Sequence, residues 1–139
     1  MRLVLDTNVL VAAFISHGVC HELLEHCALR HEIILSEPIL AEFERILVEK
    51  FGFGPTEIRQ AVRLLRSRAA MVTPARLAAP VSRDSDDDVV LATALVGGCD
   101  GVVSGDRDLS DLESYQGMRI MTPTQFWAFE KDEPEGSGS

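Results

Sequence analysis

Residues 84–109 read DSDDDVVLATALVGGCDGVVSGDRDL, and the prediction of the fold starts from this stretch. The apolar run 89–96 is long enough for about two helical turns and stops at a pair of glycines. A shorter apolar run, 101–103, comes after the glycines and ends in a turn that contains Asp106. A helix, a glycine turn and a buried strand in this order predict one unit of an α/β fold, with an acid where the strand ends.

The same alternation of apolar runs extends along most of the chain. Short, mainly apolar runs predict strands at 2–5, 32–35, 70–73, 101–103 and 119–121. Segments with helical spacing lie between them, at 8–15, 21–30, 36–51, 55–69, 89–96, 109–115 and 124–129. Strands without polar alternation are typical of a parallel sheet that is covered on both faces. We therefore predict a three-layer α/β/α domain over residues 1–129, with about five parallel strands, and a disordered polar tail at 130–139.

The composition is that of a folded protein without a membrane segment. Apolar residues make up 46% of the chain and charged residues 25%, which excludes disordered and fibrous classes. No apolar run reaches the roughly 18 residues of a membrane span, and the N-terminus lacks the apolar stretch of a secretory signal. The three cysteines are odd in number, which suits free thiols in a reducing compartment. We expect a cytoplasmic protein with no membrane partner.

The distribution of charge is more informative than its total. A net charge of −9 argues against a nucleic-acid partner, yet residues 56–83 contain six arginines and one glutamate, a balance of +5 that leaves −14 for the rest. Arg59, Arg63 and Arg66 are spaced i, i+4, i+7, so one helix face would carry all three. This face is a candidate for contact with an RNA backbone, and the alternative is an ordinary solvated helix face.

Four acids are expected to meet at one edge of the predicted sheet. Asp6 follows the first strand directly, and Asp106 follows the fourth. Functional groups of open parallel sheets gather beyond the carboxyl ends of the strands. Glu42, on the helix after the second strand, and Asp88, in the first turn of the helix before the fourth, can face the same edge. Taken singly, an acid in a first helical turn can simply complement the helix dipole, and Glu42 can be an ordinary surface residue.

The convergence of these carboxylates predicts a metal site. Carboxylates that meet without a lysine among them repel one another, and a divalent cation removes that cost. Oxygen ligands suit Mg²⁺ or Mn²⁺ better than Zn²⁺. An ion of this kind can activate water and neutralise charge on a phosphodiester, so the residues indicate metal-assisted phosphodiester hydrolysis.

Segments of the chain resemble the PIN-domain family in sequence and in order. They are VLDTNVLVAAF at 4–14, EPILAEFERIL at 37–47 and the stretch 84–109, and IMTPTQFW at 120–127 resembles the subgroup typified by VapC-type toxins of toxin–antitoxin pairs. The resemblance covers residues 2–127. It implies a five-stranded parallel sheet flanked by helices and an endoribonuclease that depends on Mg²⁺ or Mn²⁺. It further implies an RNA substrate, an inhibitory antitoxin protein as partner and, together with the charge balance, a possible homodimer.

The resemblance also implies roles for individual residues. The residues expected to be both catalytic and metal-binding are Asp6, Glu42, Asp88 and Asp106. Asp108 would be a further ligand, and the supporting residues would be Thr7, Asn8 and Ser104, with Asn8 or Ser104 hydrogen-bonded to a carboxylate or a bound water. Asp84 is the alternative third acid, because the acids at 84 and 86–88 are crowded together.

Other site chemistries fit the sequence less well. Histidines and cysteines are frequent between positions 17 and 31, but they do not form the two spaced ligand pairs of a structural zinc site. The segment Asp6-Thr7-Asn8 resembles the opening of haloacid-dehalogenase-type phosphatases, but Asn8 replaces the second acid and no suitable lysine is at hand. A catalytically silent PIN-like scaffold or interaction module and a DNA-directed nuclease remain as alternatives.

Overall fold

A six-stranded sheet forms the centre of the fold in the computed structural model, which describes residues 1–75, 77, 81 and 85–132. The strands are β1 (Arg2–Leu5), β2 (Glu32–Leu35), β3 (Ala69–Met71), β4 (Gly101–Val103), β5 (Ser114–Tyr115) and β6 (Met118–Met121). Their order across the sheet is β3-β2-β1-β4-β6-β5, and all neighbours are parallel except β5 and β6. The predicted α/β class with a mainly parallel sheet is confirmed.

Helices lie between the strands and pack against the sheet. Within the described residues they are α1 (Thr7–Ile15), α2 (Val19–Arg30), α3 (Glu37–Phe51), α4 (Pro55–Arg68), α5 (Ser85–Val96), α6 (Arg107–Ser110) and α7 (Pro123–Asp132). Helix α5 packs against β1, β2 and β4 and also against α3, so the two helices that carry the predicted acids lie side by side. None of these helices is by itself long and apolar enough to cross a membrane; α1 and α2 would be only as a pair, and a bend of 108° separates them.

The position of β1 in the middle of the sheet explains why Leu3, Val4 and Leu5 are all apolar. Leu3, Val4 and Leu5 are all fully buried. Because successive side chains of a strand point to opposite faces, both faces of β1 must be covered. Each such side chain contributes about 1.5–3 kcal/mol through its removal from water. The centre of the sheet is therefore closely packed, and Asp6 and Ser104 follow directly on buried strands.

The segment after β4 differs from its prediction. A helix was predicted over 109–115, and this is wrong: α6 is a single turn, and the chain then reverses between β5 and β6. Gln116 and Gly117 have φ values of 47° and 84°, which is the pair of left-handed residues in a two-residue hairpin turn. The hairpin adds a short antiparallel edge strand, so the sheet has six strands and not five.

The last helix extends past the predicted end of the domain at residue 129. Helix α7 continues to Asp132, and the Glu130 side chain contacts His26 and His31. Glu130 is thus part of the folded domain, although the sequence assigned it to the polar tail. The remainder of that predicted tail, 133–139, lies outside the described residues.

Candidate metal centre

The parallel pairing of β1 with β4 brings Asp6 and Asp106 to one edge of the sheet. Leu5 lies opposite Val103, and each acid follows its strand just beyond this pair. Asp6 is only 4% exposed and caps α1, with its Oδ1 accepting a hydrogen bond of 3.0 Å from the backbone N–H of Val9. The carboxylate that begins the helix is therefore fixed at the carboxyl end of the sheet.

Ser104 connects the two acids. Its hydroxyl donates to Oδ2 of Asp6, and its oxygen accepts from the backbone N–H of Asp106 at 2.9 Å. Asp106 Oδ1 in turn accepts from the backbone N–H of Asp108 at 2.8 Å. Ser104 is fully buried, so this chain of hydrogen bonds holds the turn after β4 in one position relative to Asp6.

Two helices complete a narrow cleft, which we call the acidic cleft. Helix α3 contributes Glu42, and the first turn of α5 contributes Asp86 and Asp87. The lining residues are Asp6, Thr7, Asn8, Glu42, Asp86, Asp87, Val90 and Asp106. The space between them is about 40 Å³. This volume accommodates an ion with a water molecule or two, and it is far below the several hundred Å³ of an organic-ligand pocket.

Asp88, the predicted third acid, is not among the residues that line the acidic cleft. Its carboxylate accepts from the backbone N–H of Val81, at 3.1 Å to one oxygen and 3.3 Å to the other. Asp87 is 6% exposed and lines the cleft. Successive helical residues are rotated by about 100°, so the acids in the first turn of α5 point in different directions; Asp86 and Asp87 line the cleft and Asp88 does not. The structure therefore places Asp87 in the acidic cleft in the position predicted for Asp88, while Asp84, the alternative, lies outside the described residues.

The electrostatics of the acidic cleft disfavour negative charge at two of its acids. Burial raises the pKa of Asp6, and the charge of Asp106 adds to this, although hydrogen bonds from Ser104 and Val9 act in the opposite direction. Burial also raises the pKa of Glu42, with the neighbouring Asp86 adding to the effect. A cation in the cleft would offset this unfavourable crowding of charge.

Glu42 is also oriented by a basic neighbour on its own helix. Arg45 lies one turn further along α3, and its guanidinium nitrogen is 2.9 Å from Oε1 of Glu42. A second guanidinium nitrogen of Arg45 is 2.8 Å from Glu49. Arg45 opposes the rise in the pKa of Glu42 and restricts the rotation of its side chain.

The donor atoms fit a hard divalent cation. Asp87, Asp106 and Asp108 can each place a carboxylate oxygen so that the three oxygens lie within 4.8 Å of one another. Asp6 and Glu42 line the same cleft. A set made only of carboxylate oxygens is the environment that Mg²⁺ and Mn²⁺ prefer, whereas Zn²⁺ prefers nitrogen and sulfur. Chemically, such a site can neutralise and polarise a phosphate group.

The predicted basic face lies outside the acidic cleft. Arg59, Arg63 and Arg66 are all exposed on α4. Arg66 forms an ion pair of 2.7 Å with Glu37 in the first turn of α3. Glu37 precedes Glu42 on the same helix by little more than one turn, so this ion pair joins the C-terminal end of α4 to the first turn of α3.

The sequence interpretation did not select Asp87, although one signal pointed to it. Asp87 begins a stripe at i, i+3, i+4 and i+7 that continues through Val90, Leu91 and Ala94, all of which are buried. Residues 89–96 are apolar on nearly all sides, so the stripe that begins at Asp88 looked equally good. Only the packing of α5 against the sheet distinguishes the two.

Comparison with known families agrees with this geometry. A family model described as a PIN domain matches residues 2–108, which include every residue that lines the acidic cleft. The chain belongs to the PIN-domain family, and the resemblance proposed from the sequence is confirmed. A comparison with curated protein sequences gives no match.

Solved structures with a similar fold include three from toxin–antitoxin systems. VapBC2 from Rickettsia felis, bound to a promoter DNA fragment, has a TM-score of 0.61 and 16% identity, covering 88% of this chain and 98% of that one. VapC20 from Mycobacterium tuberculosis, a sarcin–ricin loop cleaving toxin, has a TM-score of 0.60 and 14% identity, with coverages of 84% and 98%. DNA-bound VapBC from Salmonella typhimurium has a TM-score of 0.59 and 19% identity, with coverages of 88% and 98%. At these identities the similarity is one of fold.

Proposed function

We propose that this PIN domain is a metal-dependent endoribonuclease that hydrolyses RNA phosphodiester bonds, and that it is the toxin of a type II toxin–antitoxin pair. The observation that carries the proposal is the acidic cleft, where the carboxylates of Asp6, Glu42, Asp87 and Asp106 converge at the carboxyl end of the sheet. Fold alone would not suffice, because one fold can serve many functions. The cleft adds a specific chemistry to the fold.

The cation would be held by Asp87, Asp106 and Asp108, with Asp6 and Glu42 facing the same space. When bound, Mg²⁺ or Mn²⁺ supplies positive charge to the phosphate and lowers the pKa of water. The protein supplies orientation: Ser104 fixes Asp6, and Arg45 fixes Glu42. Because these side chains are already held in place, little ordering is needed when substrate arrives.

Substrate binding needs positive charge outside the acidic cleft. A phosphate backbone is repelled by uncompensated carboxylates, so basic residues nearby must draw the RNA in. We infer that Arg59, Arg63 and Arg66 follow the RNA backbone, which is supported by the position of Arg66 beside the N-terminal turn of α3. A homodimer is the other way in which basic surface could be supplied, since a second subunit can bring its own arginines to the site.

The antitoxin partner and the choice of RNA rest on analogy with proteins of the same fold. Two of the similar structures are VapBC assemblies bound to DNA, and VapC20 is described as a toxin that cleaves the sarcin–ricin loop. We propose by this analogy that a small DNA-binding antitoxin, encoded beside this chain, binds and inhibits it. Co-expression with the adjacent gene product tests this: the partner should co-purify and abolish cleavage.

Cleavage of total cellular RNA by purified protein tests the nuclease itself. We expect cuts with Mn²⁺ or Mg²⁺ and none with EDTA, and none from Asp6→Asn. Asp111→Asn is the matched control, because Asp111 is an exposed acid outside the acidic cleft and its loss should change nothing. Cleavage by D6N at the wild-type rate would refute the assignment.

The same experiment separates the two alternative functions. A folded protein that binds Mn²⁺ but cuts no RNA with any metal would favour a catalytically silent scaffold or interaction module. Equal or faster cleavage of single-stranded DNA of matching sequence would favour a DNA-directed nuclease. The presence of all four acids argues against the silent scaffold, because a domain without catalytic duty would be free to lose one of them.

A further inference from the structure

A second group of side chains of metal-ligand type lies where the C-terminal end of α2 meets α7. His26 lies in α2, His31 is the residue that caps the C-terminus of α2, and Glu130 lies in α7. Nε2 of His26 is 2.7 Å from Oε1 of Glu130, and Nε2 of His31 contacts the same oxygen. The three ligand atoms all lie within 4.8 Å of one another. None of the three residues lines the acidic cleft.

The three side chains are largely buried, and aromatic rings pack against them. The side chains of His31 and Glu130 are 8% and 13% exposed, while that of His26 is 28% exposed, which leaves one side open to an incoming ion. The rings of Phe126 and Trp127 pack against His26, with centroid distances of 6.1 and 4.9 Å. An apolar wall around polar ligands lowers the local dielectric and strengthens their interaction with a cation.

We propose that His26, His31 and Glu130 form a second metal site that takes a borderline transition-metal ion, Zn²⁺ in the first place. Two imidazole nitrogens and one carboxylate oxygen are a ligand set that Zn²⁺ uses repeatedly, with water in the fourth position. Mg²⁺ and Mn²⁺ select against such a set, because they favour oxygen ligands. The chain thus carries two sites of opposite preference: oxygen-only ligands in the acidic cleft and two nitrogens with one oxygen at this helical junction.

The observed distances are compatible with an ion after a small adjustment. Ligands at about 2.0–2.1 Å from a tetrahedral Zn²⁺ are roughly 3.3 Å apart, so the carboxylate of Glu130 has to retreat by less than about 1 Å. Each imidazole then binds through Nε2 and keeps its hydrogen on Nδ1.

The consequence of binding is a clamp across the fold. Helix α7 packs against α2 and β6, and the ion would join it to the segment between α2 and β2. Because the ligands come from opposite ends of the chain, the ion stabilises the native state and not the unfolded chain. The inference does not depend on the nuclease proposal, since it concerns neither the acidic cleft nor RNA.

The single tryptophan of the chain reports on this site directly. Trp127 lies 4.9 Å from His26, so a paramagnetic ion bound there quenches its fluorescence. The titration is made in excess Mg²⁺, which occupies the acidic cleft. We expect Co²⁺ at micromolar concentration to quench the fluorescence of Trp127 until the site is saturated. Zn²⁺ should then displace Co²⁺ and restore the fluorescence. Zn²⁺ should also raise the midpoint of thermal unfolding of the wild-type protein.

Variants with matched controls decide the assignment. His26→Gln and Glu130→Gln should each weaken Co²⁺ binding by at least about 10-fold and remove the thermal shift caused by Zn²⁺. His17→Gln, an exposed histidine away from the site, and Asp87→Asn, in the acidic cleft, should leave both unchanged. His26 is the most exposed of the three ligands, so H26Q carries the test even if E130Q does not fold. Quenching that is absent, that survives in H26Q, or that disappears in D87N would overturn the proposal.

Discussion

The variants Asp87→Asn and Asp88→Asn should differ in their effect on cleavage, although the two acids are adjacent on α5. Asp87 is 6% exposed and lines the acidic cleft, so Asp87→Asn keeps the shape of the side chain and removes one charge from the metal-binding set. Losing a residue that merely supports a metal ligand costs about 10–100-fold in affinity or activity. A direct ligand should cost at least the upper value, so we expect D87N to cut RNA at least about 100-fold more slowly at low Mn²⁺, with partial recovery at high Mn²⁺.

Asp88→Asn should behave differently, because Asp88 has a structural contact. Its carboxylate accepts from the backbone N–H of Val81 at 3.1 and 3.3 Å, and asparagine keeps one oxygen that can accept the same bond. The charge-dependent part of this contact is lost, together with a favourable interaction with the N-terminus of α5. We estimate a cost of about 0.5–1 kcal/mol in the free energy of unfolding and cleavage close to the wild-type rate.

Single-turnover cleavage of a labelled RNA over a series of Mn²⁺ concentrations, with urea unfolding of each variant, measures both effects. If D88N abolishes cleavage while D87N retains it, Asp88 is the third acid, as the sequence predicted, and Asp87 is not a ligand. A similar loss in both variants, with native stability, would mean that the charge of the whole first turn of α5 matters and not one ligand.

Three further predictions concern the same region and the basic face. Without metal at neutral pH, Asp6→Asn should unfold at a higher urea concentration than the wild type. The pKa of Asp6 is raised in the folded protein, so the ionised carboxylate lowers the free energy of unfolding at any pH above the pKa of the unfolded chain. The difference between the two proteins should therefore vanish as the pH falls below that value. Added Mn²⁺ should reverse the order; a D6N protein less stable than the wild type without metal contradicts this. Ser104→Ala should cost about 2–3 kcal/mol in urea unfolding, because the buried Asp6 carboxylate and the N–H of Asp106 both lose a partner, whereas Ser104→Thr should retain most of it. Replacing Arg59, Arg63 and Arg66 by glutamine should weaken RNA binding and flatten its dependence on salt by filter binding, and an unchanged salt slope would leave α4 as a solvated face.

Much of the fold and part of the site could be predicted from local patterns. Runs such as LVL before Asp6 and GVV before Asp106 are apolar at every position, which happens only when both faces of a strand are covered. Parallel strands place their carboxyl ends at one edge, so the proximity of these two acids followed from sequence without knowledge of packing. The hairpin of β5 and β6 was missed because it depends on two left-handed residues, of which only Gly117 is a common turn residue.

Which acids of α5 line the acidic cleft, Asp86 and Asp87 but not Asp88, depends on tertiary structure. Both acids begin a nearly uniform apolar helix, and the rotation of α5 about its axis is set by how it packs against β1, β2 and β4. The position of Glu42 in the acidic cleft likewise depends on which way α3 faces, whereas its pairing with Arg45 is a local i, i+3 contact.

The group formed by His26, His31 and Glu130 shows most clearly what local sequence patterns do not predict. The histidines alone lacked the spacing of a zinc site, and Glu130 was assigned to a polar tail about a hundred residues away along the chain. Periodicity and capping act over a few residues, so the sequence by itself determined most of the helices and strands and the acids that end strands β1 and β4. Which distant side chains meet depends on how whole helices pack, and that packing is the sum of contacts among many residues. Only the tertiary structure therefore decided that these three side chains lie together.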